Sequence, residues 1–324
     1  MKSTQQINTL NLIIKIAAGA TAIFMVIFFT TFFLNLRDES AVTPEGFVAG
    51  NPIETGLYPV EALALFSPDG QQISGIFGTP APAEPDREAF VESYWRWILG
   101  EAGIPDQMTR DIIASILESP AFVMELLALL QENYYTFLLV DKQHALPLDY
   151  SPDDLVPLTA GGSFRITRND LSLRRSAAAA LEEMAAAAAA DGVTLIAAST
   201  YRSAARQAEI FAWQVRTFGL ETAERQSARP GHSEHQLGTA VDFYPIHDNF
   251  AYTAASHWLM QNAGSFGWTL SYPDGYEHVT GYRFEPWHYR YVGRPLAAFI
   301  NTYFGGIPQF ALQFIKVWQE HAFL

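Results

Sequence analysis

The sequence predicts an α+β fold, a mostly antiparallel sheet with flanking helices, preceded by a small helical region and an N-terminal transmembrane helix. Three observations carry this. Short apolar runs of strand length occur at Val193 to Ala198, Thr239 to Phe243, Trp268 to Tyr272 and Trp287 to Val292. Longer segments with helical spacing separate or precede them, among them an alanine-rich stretch ending at Ala190. Ile16 to Leu36 carries no charge at all.

That apolar stretch is about 21 residues, close to the ~20 that cross a bilayer as a helix. Lys2 and Lys15 precede it and Arg37-Asp38-Glu39 follows. The bias of positive charge places residues 1–15 in the cytoplasm and the rest of the chain outside. The stretch ends in Phe-Phe-Leu-Asn-Leu without small residues at a cleavage position, so an uncleaved anchor over 16–36 is expected rather than a signal peptide. Residues 37–85 are rich in Pro, Gly and Glu and read as a linker. In 86–134, Phe90 to Leu99 and Ile112 to Leu130 have helical spacing, punctuated by Pro105 and Pro120. No chemistry attaches to this helical region.

The character changes at 135–306. Phe137-Leu138-Leu139-Val140 is a strand candidate leading into a Pro-rich loop, Leu146 to Pro152. A helix is expected from Leu171 to Ala190, ended by Gly192. Ser203 can cap a helix over Ala204 to Phe218. Thr253 to Phe266 is helical, and Pro295 opens a helix ending near Gly305-Gly306. The tail 307–324 is amphipathic.

Composition narrows the function. Of 324 residues, 49% are apolar and 17% charged, which suits a folded protein. The net charge of −14 speaks against a nucleic-acid partner, because phosphate binding calls for a basic surface. The absence of cysteine excludes disulfides, thiolate ligands and a Cys nucleophile, so any metal site must use His, Asp, Glu and water. Nothing in the sequence sets the oligomeric state.

The densest chemistry lies in Ser233-Glu234-His235-Gln236-Leu237-Gly238-Thr239-Ala240-Val241-Asp242 and in Glu285-Pro286-Trp287-His288. His235, Asp242 and His288 offer two imidazoles and a carboxylate, a reasonable set for one zinc ion with a fourth position left for water. Gly238 lets the chain turn from His235 into the strand bearing Asp242. Pro286 keeps Glu285 extended. A carboxylate beside the metal but not bound to it can take a proton from water and deliver it to a leaving amine, and Glu285 is assigned that role. His232, three residues before His235, is a further candidate ligand by residue type.

The pattern H-x6-D followed by E-x-x-H, within S-E-H-Q-x-G-x-A-x-D and E-P-W-H-x-R-Y-V-G, resembles the VanY and LD-carboxypeptidase branch of the metallopeptidases. The resemblance covers roughly Phe137 to Tyr303 and includes the stretch Ser199 to Ser203 followed by Gln207. It implies the zinc D,D-peptidase fold, with His235, Asp242 and His288 as ligands of one Zn2+ and Glu285 as catalytic base, and only this resemblance makes His232 a loop residue. It implies that Arg202 holds the scissile carbonyl and its developing oxyanion, and that Gln207 and Ser233 help bind the terminal D-alanine. Tyr201 and Trp287 are expected as walls of the cleft. The implied partner is a peptidoglycan stem peptide ending in D-alanine, removed by a D,D-carboxypeptidase. An L,D-carboxypeptidase acting on tetrapeptides and a non-catalytic wall-peptide-binding module are the alternatives. The segment of about Arg87 to Glu132 falls outside the family core, and the tail after Gly306 matches it less well.

Overall fold

The computed structural model describes residues 84–159 and 161–322. The expected cytoplasmic N-terminus (1–15), the anchor (16–36) and the linker up to residue 83 lie outside the described residues. The chain divides into two compact units, Met1–Glu132 with Phe314–Leu324, and Asn133–Gln313.

The first unit is helical. It holds α1 (Glu84–Glu101), α2 (Asp106–Glu118) and α3 (Ala121–Leu129). Pro105 and Pro120 stand immediately before α2 and α3, where a missing N–H costs least. α2 buries Thr109, Ile112, Ile113 and Ile116 along one face. The core closes on aromatic rings: Trp95 meets Phe122 at 5.6 Å, and Phe314 lies 5.6 Å from Phe122. Phe314 comes from the chain's last helix, so the second half of the amphipathic tail is core material of this unit. Among the described residues no single helix is long and apolar enough to cross a membrane.

The second unit opens with α4 (Tyr134–Phe137), and the strand expected over Phe137 to Val140 does not form. The reason is a buried cation. Arg290 Nη2 donates to the carbonyls of Tyr135, Thr136 and Leu138 at 3.3, 3.4 and 2.8 Å, so these acceptors serve a guanidinium rather than a sheet. Next, β1 (Leu155–Pro157) pairs antiparallel with β3 (Ser172–Arg174) in a two-stranded sheet. Between them β2 (Arg165–Ile166) belongs to a larger sheet. Because Ser172 to Arg174 pair with β1, the helix expected from Leu171 begins at Arg175: α5 spans Arg175–Ala190. Gly192, at φ 78°, follows its end as expected.

The larger sheet has five strands in the order β2, β4 (Ile196–Ser199), β5 (Ala240–Phe243), β7 (His288–Tyr291), β6 (Trp268–Leu270). Only the β2–β4 pair is parallel. α6 spans Ala204–Phe218, and Ser203 Oγ accepts from Arg206 N at 3.2 Å, the predicted cap. The remaining helices are α7 (Leu220–Gln226), α8 (Ala254–Asn262), α9 (Glu277–Thr280), α10 (Arg294–Tyr303) and α11 (Pro308–Ala322). The core packs the buried face of α5 (Ala177, Leu181, Met184, Ala185, Ala188) with Val241, Phe243, Trp268 and Tyr289 of the sheet. Alanines on that face let the helix approach closely, and Leu181 and Met184 fill the volume between.

Two local features bring polar side chains together on this sheet. In the β5–β7 register Asp242 stands opposite His288, and in the β4–β5 register Ser199 stands opposite Asp242. Gly238, at φ 73°, ends the 3-10 turn Glu234–Leu237 and redirects the chain into β5. A Cβ there would sit 3.0 Å from Leu155 and 3.1 Å from Pro152.

Candidate metal centre

Three separate segments deliver three donor groups to one place. His235 rides on the 3-10 turn, Asp242 on β5 and His288 on β7. Among the described residues these three form a cluster whose candidate ligand atoms all lie within 4.8 Å of one another. His235 Nε2 is 3.1 Å from Asp242 Oδ2, and His288 Nδ1 is 2.9 Å from Asp242 Oδ1. All three side chains are buried.

The rings face the cluster through different nitrogens. His235 Nδ1 is 2.7 Å from the carbonyl of Thr200, the residue after β4, which leaves Nε2 toward Asp242. His288 is turned the other way, with Nε2 3.0 Å from Glu234 Oε2 and Nδ1 toward Asp242. Burial and the Arg202 charge lower the His235 pKa. Burial also works against a charged His288, but hydrogen bonds to Asp242 and Glu234 prevail and raise it to about 10. Burial tends to raise the Asp242 carboxyl, yet His235 and His288 hold it well below the usual carboxylate range.

Glu285 stands beside this cluster. Its Oε2 lies 4.0 Å from His288 Nδ1, and its backbone N–H donates to the Tyr272 carbonyl at 3.1 Å. Burial pushes its pKa up to about 7, with Asp242 adding to the rise and His288 opposing it. A group that titrates near neutrality is suited to taking and returning a proton.

The other expected site residues come from β4, α6 and the loops beside them. Arg202 lies beyond the end of β4, its backbone N–H donates to the His235 carbonyl at 3.2 Å, and its Nε has no partner. Burial lowers its pKa, while the charges of Asp242 and Glu285 oppose this. Gln207 on α6 is 1% exposed. Its Nε2 donates to the Ala228 carbonyl at 2.6 Å, and its Oε1 is buried without a partner. Ser233 is buried just before the 3-10 turn that carries His235. Tyr201 is half-buried, and its hydroxyl donates to Ser151 Oγ at 3.1 Å. Trp287 is 4% exposed and packs in the main core with Val241 and Tyr289. His232 Nδ1 is engaged with the Asp141 carbonyl at 2.8 Å and is not in the cluster.

Sequence reasoning passed over Glu234, Ser271, Arg290 and Tyr272. Glu234 is held by Ser271 Oγ at 2.6 Å and by Arg290 Nη1 at 3.1 Å, and these contacts, with His288, bring its pKa down to about 2 against the opposing effect of burial. The Tyr272 ring lies 4.7 Å from that of His288. A signal existed for two of them. Glu234 adjoins His235, and Arg290 is two residues beyond His288, on the same face of β7.

The donor set fits a borderline-soft dication: two imidazoles, each with its second nitrogen engaged, and one carboxylate in the fork between them. With the buried Glu285 carboxyl alongside, the arrangement can hold one divalent cation next to a group able to exchange a proton. Residues 170–294 match the VanY family, described as D-alanyl-D-alanine carboxypeptidase. The chain is 39% identical over 169 residues to YodJ of Bacillus subtilis (strain 168), covering 50% of this chain and 62% of that protein. It is 33% identical to a crystal structure of a vancomycin-resistance D,D-pentapeptidase VanY variant in complex with Zn(II), covering 55% of this chain and 98% of that one, with a TM-score of 0.46. It is 29% identical to the vancomycin-resistance D,D-dipeptidase VanXYg in complex with a D-Ala-D-Ala phosphinate analogue, covering 56% and 71%, with a TM-score of 0.50. By the family match, residues 170–294 belong to the VanY family. The chain spans about three fifths of the length of the curated relatives it matches.

Proposed function

We propose that this chain is a zinc-dependent carboxypeptidase that removes the C-terminal D-alanine from peptidoglycan stem peptides, with a D-Ala-D-Ala end as its substrate. The observation that carries the reading is the convergence of His235, Asp242 and His288 within 4.8 Å, with the Glu285 carboxylate 4.0 Å from His288. The family description and the D-Ala-D-Ala analogue bound by the VanXYg neighbour point to the same substrate class.

His235 Nε2, Asp242 and His288 Nδ1 would hold the zinc, which would supply a Lewis acid to acidify water and polarise a carbonyl. The protein's own residues do the rest. Glu285 accepts the proton of the attacking water and returns it to the leaving amine of D-alanine. Burial disfavours its charged form, which favours taking up that proton. The Arg202 guanidinium, with Nε unpaired, receives the negative charge that develops on the scissile carbonyl oxygen. Gln207 has spent its amide hydrogens on Ala228 and Ser227, so it meets the peptide end through Oε1, an acceptor for an N–H of the terminal residue. Ser233 takes part in holding the terminal carboxylate, and Tyr201 borders the cleft. Residues 16–36 anchor the chain in the membrane with the catalytic domain outside the cytoplasm, where this polymer lies. The working boundaries are a helical region over 86–134 and a peptidase domain over 135–306.

The test incubates the full chain with a pentapeptide ending in D-Ala-D-Ala and with the matching tetrapeptide, and measures released D-alanine with and without a chelator. Chelator-sensitive release from the pentapeptide is expected. Release mainly from the tetrapeptide would replace the proposal by an L,D-carboxypeptidase. No release from either by zinc-loaded protein would leave a binding module.

A further inference from the structure

We infer that Glu234 is a positioning residue that determines which nitrogen of His288 meets the metal, and that Arg290 and Ser271 hold it in that role. The inference rests on the zinc reading above and extends it to residues that this reading does not assign.

A neutral imidazole carries its one proton on either nitrogen and donates a lone pair from the other. His288 has a carboxylate at each end: Asp242 Oδ1 2.9 Å from Nδ1 and Glu234 Oε2 3.0 Å from Nε2. Left to itself the ring could protonate toward either one. Only the form with hydrogen on Nε2 offers a lone pair at Nδ1, the nitrogen that faces the cluster. Asp242 must also be free to act as a ligand, so Glu234 is the carboxylate that has to win the hydrogen.

The surroundings of Glu234 ensure this. Three donors converge on its two oxygens: His288 Nε2 and Ser271 Oγ on Oε2, and Arg290 Nη1 on Oε1. Glu234 is 6% exposed and Arg290 0%, so both groups are buried at their contact. Arg290 is itself fixed by the carbonyls of Tyr135, Thr136 and Leu138. A side-chain amide cannot replace the carboxylate. Glutamine has one acceptor oxygen for three donors, and its NH2 would point at the guanidinium or at Nε2. In the latter case Nε2 becomes the acceptor and the hydrogen moves to Nδ1, where the metal should be. His235 needs no such anchor, because the Thr200 carbonyl accepts from its Nδ1 and cannot donate.

The proposal is tested by titrating zinc into the full chain against a competing chelator, and by recording histidine-selective 15N spectra of the zinc-loaded protein. Wild type is expected to bind one zinc with His288 protonated on Nε2. Glu234→Gln is expected to weaken zinc binding roughly 10- to 100-fold, the range found for lost outer partners of metal ligands, and to disturb the His288 nitrogen signals while leaving those of His235 in place. Ser271→Ala removes one donor and leaves the carboxylate. It should weaken zinc several-fold, and it decides the matter where Glu234→Gln fails to fold. Wild-type affinity with an unchanged His288 signature in the folded variants overturns the proposal. Failure of wild type itself to bind zinc would instead overturn the reading on which it rests.

Discussion

At the scale of single residues, Glu285 carries the sharpest expectations. Glu285→Gln keeps the ligand set and removes the proton acceptor, so zinc content should stay stoichiometric while kcat falls roughly 100- to 10,000-fold. Metal analysis and turnover on the same preparation check this, and retained turnover would remove Glu285 from its role. The same residue makes the metal-free protein sensitive to pH. Its folded pKa of about 7 exceeds the ordinary carboxylate value of 4.5, so between these two values the folded state holds more protons than the unfolded one. Stability contributed by this group is therefore present below pH ~4.5 and is lost as pH rises to about 7, a change on the order of 3 kcal/mol. In chelator, Glu285→Gln should raise the unfolding temperature at pH 8 and leave it nearly unchanged at pH 4.5. Equal effects at both pH values would show that burial of the charge is not the cause. The clustering of His235, Asp242 and His288 was legible in the sequence because candidate ligands are marked by residue type and spacing. The setting of Trp287 was not legible, because an aromatic beside a candidate ligand looks alike whether it faces a cleft or a core. Glu234 was missed because its partners, Ser271 and Arg290, become neighbours only through strand register.

At the scale of elements, the turn from the 3-10 helix into β5 and the packing of α5 are the decisive pieces. Gly238→Ala forces a left-handed backbone onto a side chain, at about 1–2 kcal/mol, and pushes it toward Leu155, Pro152 and Arg174. Because Gly238 links His235 to Asp242, zinc affinity should fall together with stability. Normal affinity in a destabilised variant would uncouple the turn from the site. Leu181 is fully buried on α5 among alanines that cannot expand to fill a void. Leu181→Ala should cost about 2–5 kcal/mol, read by denaturant unfolding, with little change in zinc affinity at temperatures where the variant is folded. Helices were the most legible elements: α6 has the predicted ends and the predicted cap, because a 3.6-residue period over four turns is a strong signal. The short strands β1, β2 and β3, of two or three residues, carry too little pattern to be read. The segment at Phe137 to Val140 has the composition of a strand, but a cation from β7 claims the carbonyls around its start.

At the scale of the whole molecule, the proposed zinc bears on one unit of two. All three proposed ligands lie in Asn133–Gln313. Zinc at 100 times its dissociation constant should stabilise that unit by about 2.7 kcal/mol, and calorimetry with and without chelator reads the shift. An unfolding profile indifferent to the metal would refute the site. If residues 16–36 form the proposed anchor, activity should sediment with membranes until detergent is added. Activity in the soluble fraction would count against the anchor.

The hydrogen bond from Arg290 to the Tyr135 carbonyl joins residues 155 positions apart in the chain. A polypeptide emerges from the ribosome N-terminus first, at about 5–20 residues per second. The carbonyls of Tyr135, Thr136 and Leu138 therefore wait on the order of ten seconds before their cation exists. Glu285, His288 and Arg290 all arrive after His235 and Asp242. A nascent or prematurely ended product can thus have His235 and Asp242 but no second imidazole, no base and no arginine to organise Glu234. The biosynthetic order keeps the proposed zinc centre unassembled until β7 has been made.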